Sequence, residues 1–232
     1  MGPEADVITK DAPADQRRLT HRRYWIALYR RDVAKAEAIV EQCLKEWKPQ
    51  HIYLRLFEPA LSFSGTMWAK GCITYQDEHF VTHHTLRFLR RVRHRFVPAE
   101  TYGPLAMATA SGQESHLIGL RMVCDFLQAD DWRIHWLSSN DRATVRQGVR
   151  RLRPQALLIS IGLDTGLTTA RRVIADARRA DFNGVVVVGG AAINRDPSRV
   201  QAIGADMTAP NGFVLARQLR PRMRPPEKRR WA

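Results

Sequence analysis

Apolar positions follow one spacing in the first part of the chain and another in the rest. Over 23–47 the side chains Trp25, Leu28, Val33, Ala36, Val40, Leu44 and Trp47 recur at steps of three to five, which predicts one amphipathic helix stopped by Pro49. A second helix is expected over 51–57, broken near Pro59, a third over 60–69 and a long fourth over 75–96. Together they predict a four- or five-helix bundle. After Pro98 short apolar runs take over: PLAMATA, WRIHWL, ALLIS, GVVVVGG and the weaker ADMTA. Helical stretches separate or follow them at 116–129, 142–151, 166–179, 197–203 and 212–220. This alternation predicts an α/β domain, a flavodoxin-like (Rossmann-like) five-stranded parallel sheet in the order 2-1-3-4-5 with helices on both faces. The expected organisation is a polar segment without fixed structure over 1–18, a helical cap over 19–97, the α/β domain over 98–220 and a basic tail over 221–232.

Composition narrows the class of protein. With 44% hydrophobic residues in 232, the chain has the ordinary make-up of a globular protein that buries a core. No apolar run approaches the roughly 20 residues that span a bilayer. The polar start lacks the apolar centre of a secretion signal, so the expected location is the cytoplasm, away from membranes. Cys43, Cys72 and Cys124 are odd in number and widely spaced, which argues against a disulfide framework or a zinc site. The 37 basic and 23 acidic side chains leave a net charge of +14, so the surface attracts polyanions and acidic partners. Basic residues gather in RFLRRVRHRF (Arg87, Arg90, Arg91, Arg93, Arg95) and in the tail. No helix-turn-helix, zinc-finger or RNA-binding signature accompanies them, so no sequence-specific DNA binding is expected of the chain by itself.

Candidate chemistry collects at the carboxyl ends of three predicted strands. The first is followed by Glu114-Ser115-His116-Leu117-Ile118-Gly119, the third ends at Ser160 with Gly162 just beyond, and the fourth ends in Gly189-Gly190. In a 2-1-3-4-5 sheet these strands are neighbours, and their loops line one crevice where open α/β sheets bind ligands. Imidazole is the commonest protein ligand for a transition metal. Small residues on two of the three loops leave room for an inserted group.

These residues resemble the cobalamin-binding domains of methionine synthase, corrinoid methyl carriers and cobalamin-dependent regulators. The shared pattern is an acidic-x-His-x-x-Gly, then a serine, then Gly-Gly; here Ser160 follows Gly119 after 40 residues, and Gly189 follows Gly162 after 26. The resemblance implies that His116 binds cobalt from the lower face in place of the cofactor's own dimethylbenzimidazole. It also implies that Glu114 orients the imidazole, and that the nucleotide tail passes Ser160, Gly162 and Gly189-Gly190. Two departures are visible: Glu114 replaces the commoner aspartate, and Gly162 stands where leucine is usual, with Leu163 one place later.

In the helical part, Trp68 precedes the pair Glu78-His79 by ten residues. That arrangement is similar to the cap of cobalamin-dependent light-sensing regulators, and it implies a tryptophan over the upper face of the corrin against an adenosyl group. Ala69 stands where some of these photoreceptors have a cobalt-capturing histidine. Stand-alone chains of this layout also resemble photocobilins, which implies a second chromophore, a bilin such as biliverdin, with Arg87 and its basic neighbours holding the propionates. The functional expectation is a sensory protein rather than an enzyme, a photoreceptor using adenosylcobalamin. Light or exchange of the upper ligand would change its contacts with its own copies or with a regulatory protein partner. The alternatives are a corrinoid methyl carrier for a methyltransferase system and a cobalamin-binding antirepressor adaptor. VVVVGGAAINR lacks the GxGxxG pattern, which argues against a nucleotide-cofactor enzyme.

Overall fold

The computed structural model describes residues 14–111 and 117–220, and the chain divides into two compact units at Phe96 and Val97. The first unit is helical: α1 (Ala14–Tyr29), α2 (Val33–Glu46), α3 (Pro49–Ile52), a π-helical turn (Tyr53–Phe57), α4 (Glu58–Ala69) and α5 (Tyr75–Arg93). Its core is built from Tyr24, Leu28, Val40, Ile52, Leu56, Phe57, Val81, Phe88, Leu89 and Val92. The Tyr24 hydroxyl is buried among them and keeps a hydrogen-bond partner in Thr85 at 2.9 Å.

Three expectations for this unit are corrected. Helix α1 begins at Ala14, ahead of the expected start at residue 19. The helix expected over 23–47 is two helices, because Arg31 turns the backbone into the left-handed region (φ 64°) and Asp32 caps α2 by accepting from the Lys35 N–H. Apolar spacing runs through this break because both helices face the same core. Pro59 does not interrupt the run that follows Pro49. It sits in the first turn of α4, where the missing N–H costs least, and the widened turn before it has the Glu58 N–H bonding back to the Tyr53 carbonyl.

The second unit contains β1 (Leu105–Ala110), α6 (Ile118–Ala129), β2 (Arg133–Trp136), α7 (Arg142–Leu152), β3 (Ala156–Ser160), α8 (Gly166–Arg178) and β4 (Val185–Gly189). It ends in α9 (Ala191–Arg195), α10 (Arg199–Ala202) and α11 (Gly212–Leu219). All pairings are parallel in the order β2-β1-β3-β4. The sheet has four strands, not five: ADMTA contributes one isolated bridge, Met207 to Val187. Its sequence mixes Asp206 and Thr208 with few apolar side chains, too little to sustain a ladder buried on both faces. Side chains alternate between two cores. Met107, Leu157, Ile159, Val186 and Val188 pack with α7 and α8, whereas Ala106, Ala108, Leu158 and Val187 pack with α6 and α11. Among the described residues no helix is long and apolar enough to cross a membrane.

Glu58 is half-buried at the start of α4, with no charged partner among the described residues, and burial pushes its carboxyl up to about 7 from 4.5. A carboxyl whose pKa is raised by folding leaves the native state more protonated than the unfolded one, so stability falls as pH rises from about 4.5 to about 7. Glu58→Gln is expected to flatten that fall and to gain about 1–2 kcal/mol at pH 8, after allowance for solvent screening. Urea titrations of both proteins at several pH values check this; parallel pH profiles would refute it.

Candidate functional site

Parallel pairing brings the ends of β1, β3 and β4 into one line. Ser160 is in register with Ala110 on one side and Gly189 on the other. The pairing continues one step further, as the Ser111 N–H donates to the Ser160 carbonyl and the Ile161 N–H to the Gly189 carbonyl, each at 2.9 Å or less. Three loops therefore leave the sheet side by side. Ser160 is buried there, and Gly162 is half-buried in the loop that follows. Gly119 lies exposed in the first turn of α6. Glu114 and His116 lie outside the described residues.

The two adjacent glycines do different work. Gly190 has φ 100°, and a Cβ there would stand 2.5 Å from the Ile161 carbonyl oxygen, so only glycine lets β4 turn into α9 against β3. A Cβ on Gly189 would meet nothing within 4 Å. Gly189 thus keeps open space at the end of β4 and Gly190 makes the turn that bounds it. The loops are anchored by Asp164, which accepts from Arg195 at 2.6 Å and from Arg199 at 2.8 Å and ties the segment after β3 to α9 and α10. These arginine hydrogen bonds, Arg199's first, hold the Asp164 carboxyl below its usual range.

Two polar residues here escaped the sequence reading. Asn140, after β2, donates through Nδ2 to the Ala110 carbonyl at 3.0 Å. Ser111 is buried at the end of β1, and its Oγ has no hydrogen-bond partner among the described residues. A buried hydroxyl without a partner costs free energy that a bound polar group would recover. Its only signal in the sequence is its place, one residue beyond a buried strand.

The helical unit assembles its own cluster. Helix α4 ends at Ala69, the chain turns through Gly71, and Thr74 caps α5 in a reciprocal box with Asp77. Asp77 also accepts from Arg31 at 2.7 Å, so the break between α1 and α2 is tied to the start of α5. Across this turn Trp68 tilts against Tyr75 with ring centroids 6.4 Å apart, and Tyr75 lies over His79 at 4.0 Å. The Tyr75 hydroxyl is 2.9 Å from His79 Nε2, and His79 Nδ1 is 3.2 Å from the buried Glu78 carboxylate. Thr82 donates to the other Glu78 oxygen at 2.7 Å. The structure thus joins Trp68, Glu78 and His79 into one ladder, with Tyr75 as the rung that sequence reasoning missed. Its signal was the step of four residues from Tyr75 to His79. Trp68 is 40% exposed and Tyr75 50%, which leaves an aromatic surface open to a flat apolar ligand.

Comparison with known proteins turns these two clusters into a family assignment. Residues 104–214 match the B12 binding domain, and residues 20–92 match a second model also described as a B12 binding domain. The chain belongs to the cobalamin-binding domain family. The monomethylamine corrinoid protein of Methanosarcina barkeri has a similar fold, with 17% identity, a TM-score of 0.75 and coverage of 86% of this chain and 96% of that one. At that identity the likeness shows the fold. A cobalamin-binding protein from Desulfitobacterium hafniense DCB-2 is 15% identical, with a TM-score of 0.47 over 88% of this chain and 98% of its own. The methanol:cobalamin methyltransferase complex MtaBC of M. barkeri is 11% identical, with 0.46 over 94% and 87%. Neither of these lower scores carries an argument. No curated protein sequence matches the chain.

The family's cofactor can be tested against the crevice of the α/β unit. Ser160 and Gly189 are register partners and face the same side of the sheet, where a Cβ on Gly189 would meet nothing within 4 Å; a buried hydroxyl beside that open space fits the polar tail of a cobalamin. Gly189→Ala is expected to leave the melting temperature within about 2 °C of the parent while weakening cobalamin binding. Gly190→Ala is expected to cost about 2–4 kcal/mol of stability through its backbone conformation and its clash. Thermal melts and cofactor titrations of the two variants check this; equal melting temperatures would refute the division of roles.

Proposed function

We propose that the chain is a cobalamin-binding protein that senses the cofactor's upper ligand, with no acid, base or nucleophile of its own working on a separate substrate. His116 would hold cobalt from below as a neutral imidazole, with Glu114 accepting its N–H, and Gly119, Ser160, Gly162, Gly189 and Gly190 would accommodate the nucleotide tail. Trp68, Glu78 and His79 would contribute from the helical unit. Bound cobalamin would supply a cobalt whose axial ligands can be exchanged. The observation that carries the sensing role is the ladder from Trp68 through Tyr75 to His79 and Glu78. It fixes an exposed indole against Tyr75, whose hydroxyl meets His79, a surface shaped to tell a bulky aromatic upper ligand from a small one. Adenosylcobalamin is the ligand form this surface suits, and light is the signal that would remove the adenosyl group.

A second function, a corrinoid methyl carrier, has more support from the comparisons, since the structure with a TM-score of 0.75 is a corrinoid protein and no comparison bears on light or transcription. A carrier would dock on a methyltransferase partner. A sensor would dock on its own copy or on a regulatory protein, as an antirepressor adaptor would. A bilin held by Arg87 and its neighbours has weaker footing, because Arg91 is already paired with Glu37 at 2.5 Å and with Glu41 at 2.6 Å.

Ligation by His116 predicts that His116→Ala changes the spectrum of the bound cobalamin and lowers its affinity. It also predicts that affinity in the parent weakens as acid protonates the imidazole. An unchanged spectrum in the variant would refute the ligation. Trp68→Ala is expected to reduce the preference for adenosyl- over methylcobalamin by about tenfold, equivalent to about 1.4 kcal/mol of ring contact. Equal affinity of the parent for both forms, with the same elution volume in dark and light, would overturn the sensor in favour of the carrier.

A further inference from the structure

Among the described residues of the α/β unit, arginines gather on α7 and α8. Helix α7, RATVRQGVRRL, carries four arginines and no acid, and Arg153 follows as its C-cap. Helix α8 adds Arg171 and Arg172, both exposed, and its one acid, Asp176, is buried with a side chain only 1% exposed. Around that carboxylate stand Arg142 Nε at 3.1 Å, Arg179 Nη1 at 3.6 Å and Arg146 Nε at 4.0 Å. These are ion-pair distances without directed hydrogen bonds to Oδ1. One buried negative charge therefore gathers three guanidiniums from two helices and leaves the cluster with a positive surplus. Arg150, Arg151, Arg171 and Arg172 have no partner among the described residues and point their charge at solvent.

We propose that this face docks the phosphate backbone of a nucleic acid without reading its sequence. Arg142, Arg146 and Arg150 recur at every fourth residue, so they rise about 6 Å per step along one side of α7. Arg146, Gln147, Arg150 and Arg151 line a shallow groove of about 490 Å³ along the same helix. Guanidinium forks pair with phosphate oxygens in a bidentate way. An acidic protein partner is the weaker occupant. Protein interfaces need a buried apolar or aromatic anchor, and the exposed positions of α7 are Arg142, Ala143, Gln147, Arg150 and Arg151, none of them a large apolar residue. A phosphodiester chain needs only the charge.

The test is fluorescence anisotropy of the full-length protein with a short labelled duplex of mixed sequence, over a series of salt concentrations. Arg150→Gln/Arg151→Gln is expected to fold as the parent does, to bind about tenfold more weakly at 0.1 M salt and to lower the log–log salt slope by about 2, one for each phosphate that is no longer neutralised. Arg87→Gln/Arg90→Gln on α5 removes the same net charge and is expected to leave the slope unchanged. If the first pair fails to fold, Gln147→Glu places an opposing charge in the same groove and should weaken binding. Equal effects of the two arginine pairs, or of Gln147→Glu and the α5 pair, would assign the binding to net charge and overturn the proposal. So would failure to bind the duplex at low salt, or polyglutamate competing as well as unlabelled DNA, which would point to an acidic protein partner instead.

Discussion

The α/β unit depends on parallel strands that end in register. Ser160 is held between Ala110 and Gly189 by backbone hydrogen bonds that continue one residue beyond the strands, so the loops after β1, β3 and β4 leave from a common line. A slip of one residue would turn Ser160 toward the opposite face and set Ile159 or Ile161 in its place. Burial on both sides of β3 prevents such a slip, because Leu157 and Ile159 belong to one core and Leu158 to the other. The candidate site is therefore a by-product of core packing. Its polar groups are few, and the sheet fixes their positions.

The helical unit reaches comparable order by local means. Its aromatic cluster rests on a turn between two helices, where a capping box, an ion pair from a distant break and a stack of rings share a few residues. Asp77 belongs to two of these at once, closing the box with Thr74 and pairing with Arg31, and Arg31 lies over Phe80 at 4.1 Å. Such sharing couples the α1–α2 junction to the position of His79. Loosening Arg31 would disturb the start of α5 and with it the ladder to Trp68.

How much of this was legible in the sequence depends on range. Strands buried on both faces appear as unbroken apolar runs, so β1, β3 and β4 could be read within a residue or two of their observed ends, and with them the positions of Ser160, Gly189 and Gly190. ADMTA had too little apolar content to decide between strand and loop, and it became a single bridge. The break at Arg31 was hidden because the helices on both sides bury the same face. Trp68, Glu78 and His79 stood out through the resemblance of their arrangement to a known cap, but Tyr75, which meets Trp68 with its ring and His79 with its hydroxyl, needed three-dimensional neighbours to be noticed. The same holds for Asp176. Composition drew attention to the arginine run in α5 and to the tail, whereas the grouping of Arg142, Arg146 and Arg179 around the buried Asp176 carboxylate is visible only once α7 and α8 are packed together.

The widened turn at Tyr53–Phe57 acts on residues well downstream of it. Each residue of an α-helix advances the direction of its side chain by about 100°, so one residue taken up in a π-turn resets the angular phase of all that follows on the same run. Phe57 and Ala60 are buried, while Trp68 emerges on the exposed side of α4 beside Tyr75. Wound as a regular α-helix with all its residues kept, the segment would rotate α4 by about 100° relative to α3. Trp68 would then leave Tyr75 with no residue of the ladder altered. The bearing of the indole is thus encoded in a helical irregularity more than two turns away from it.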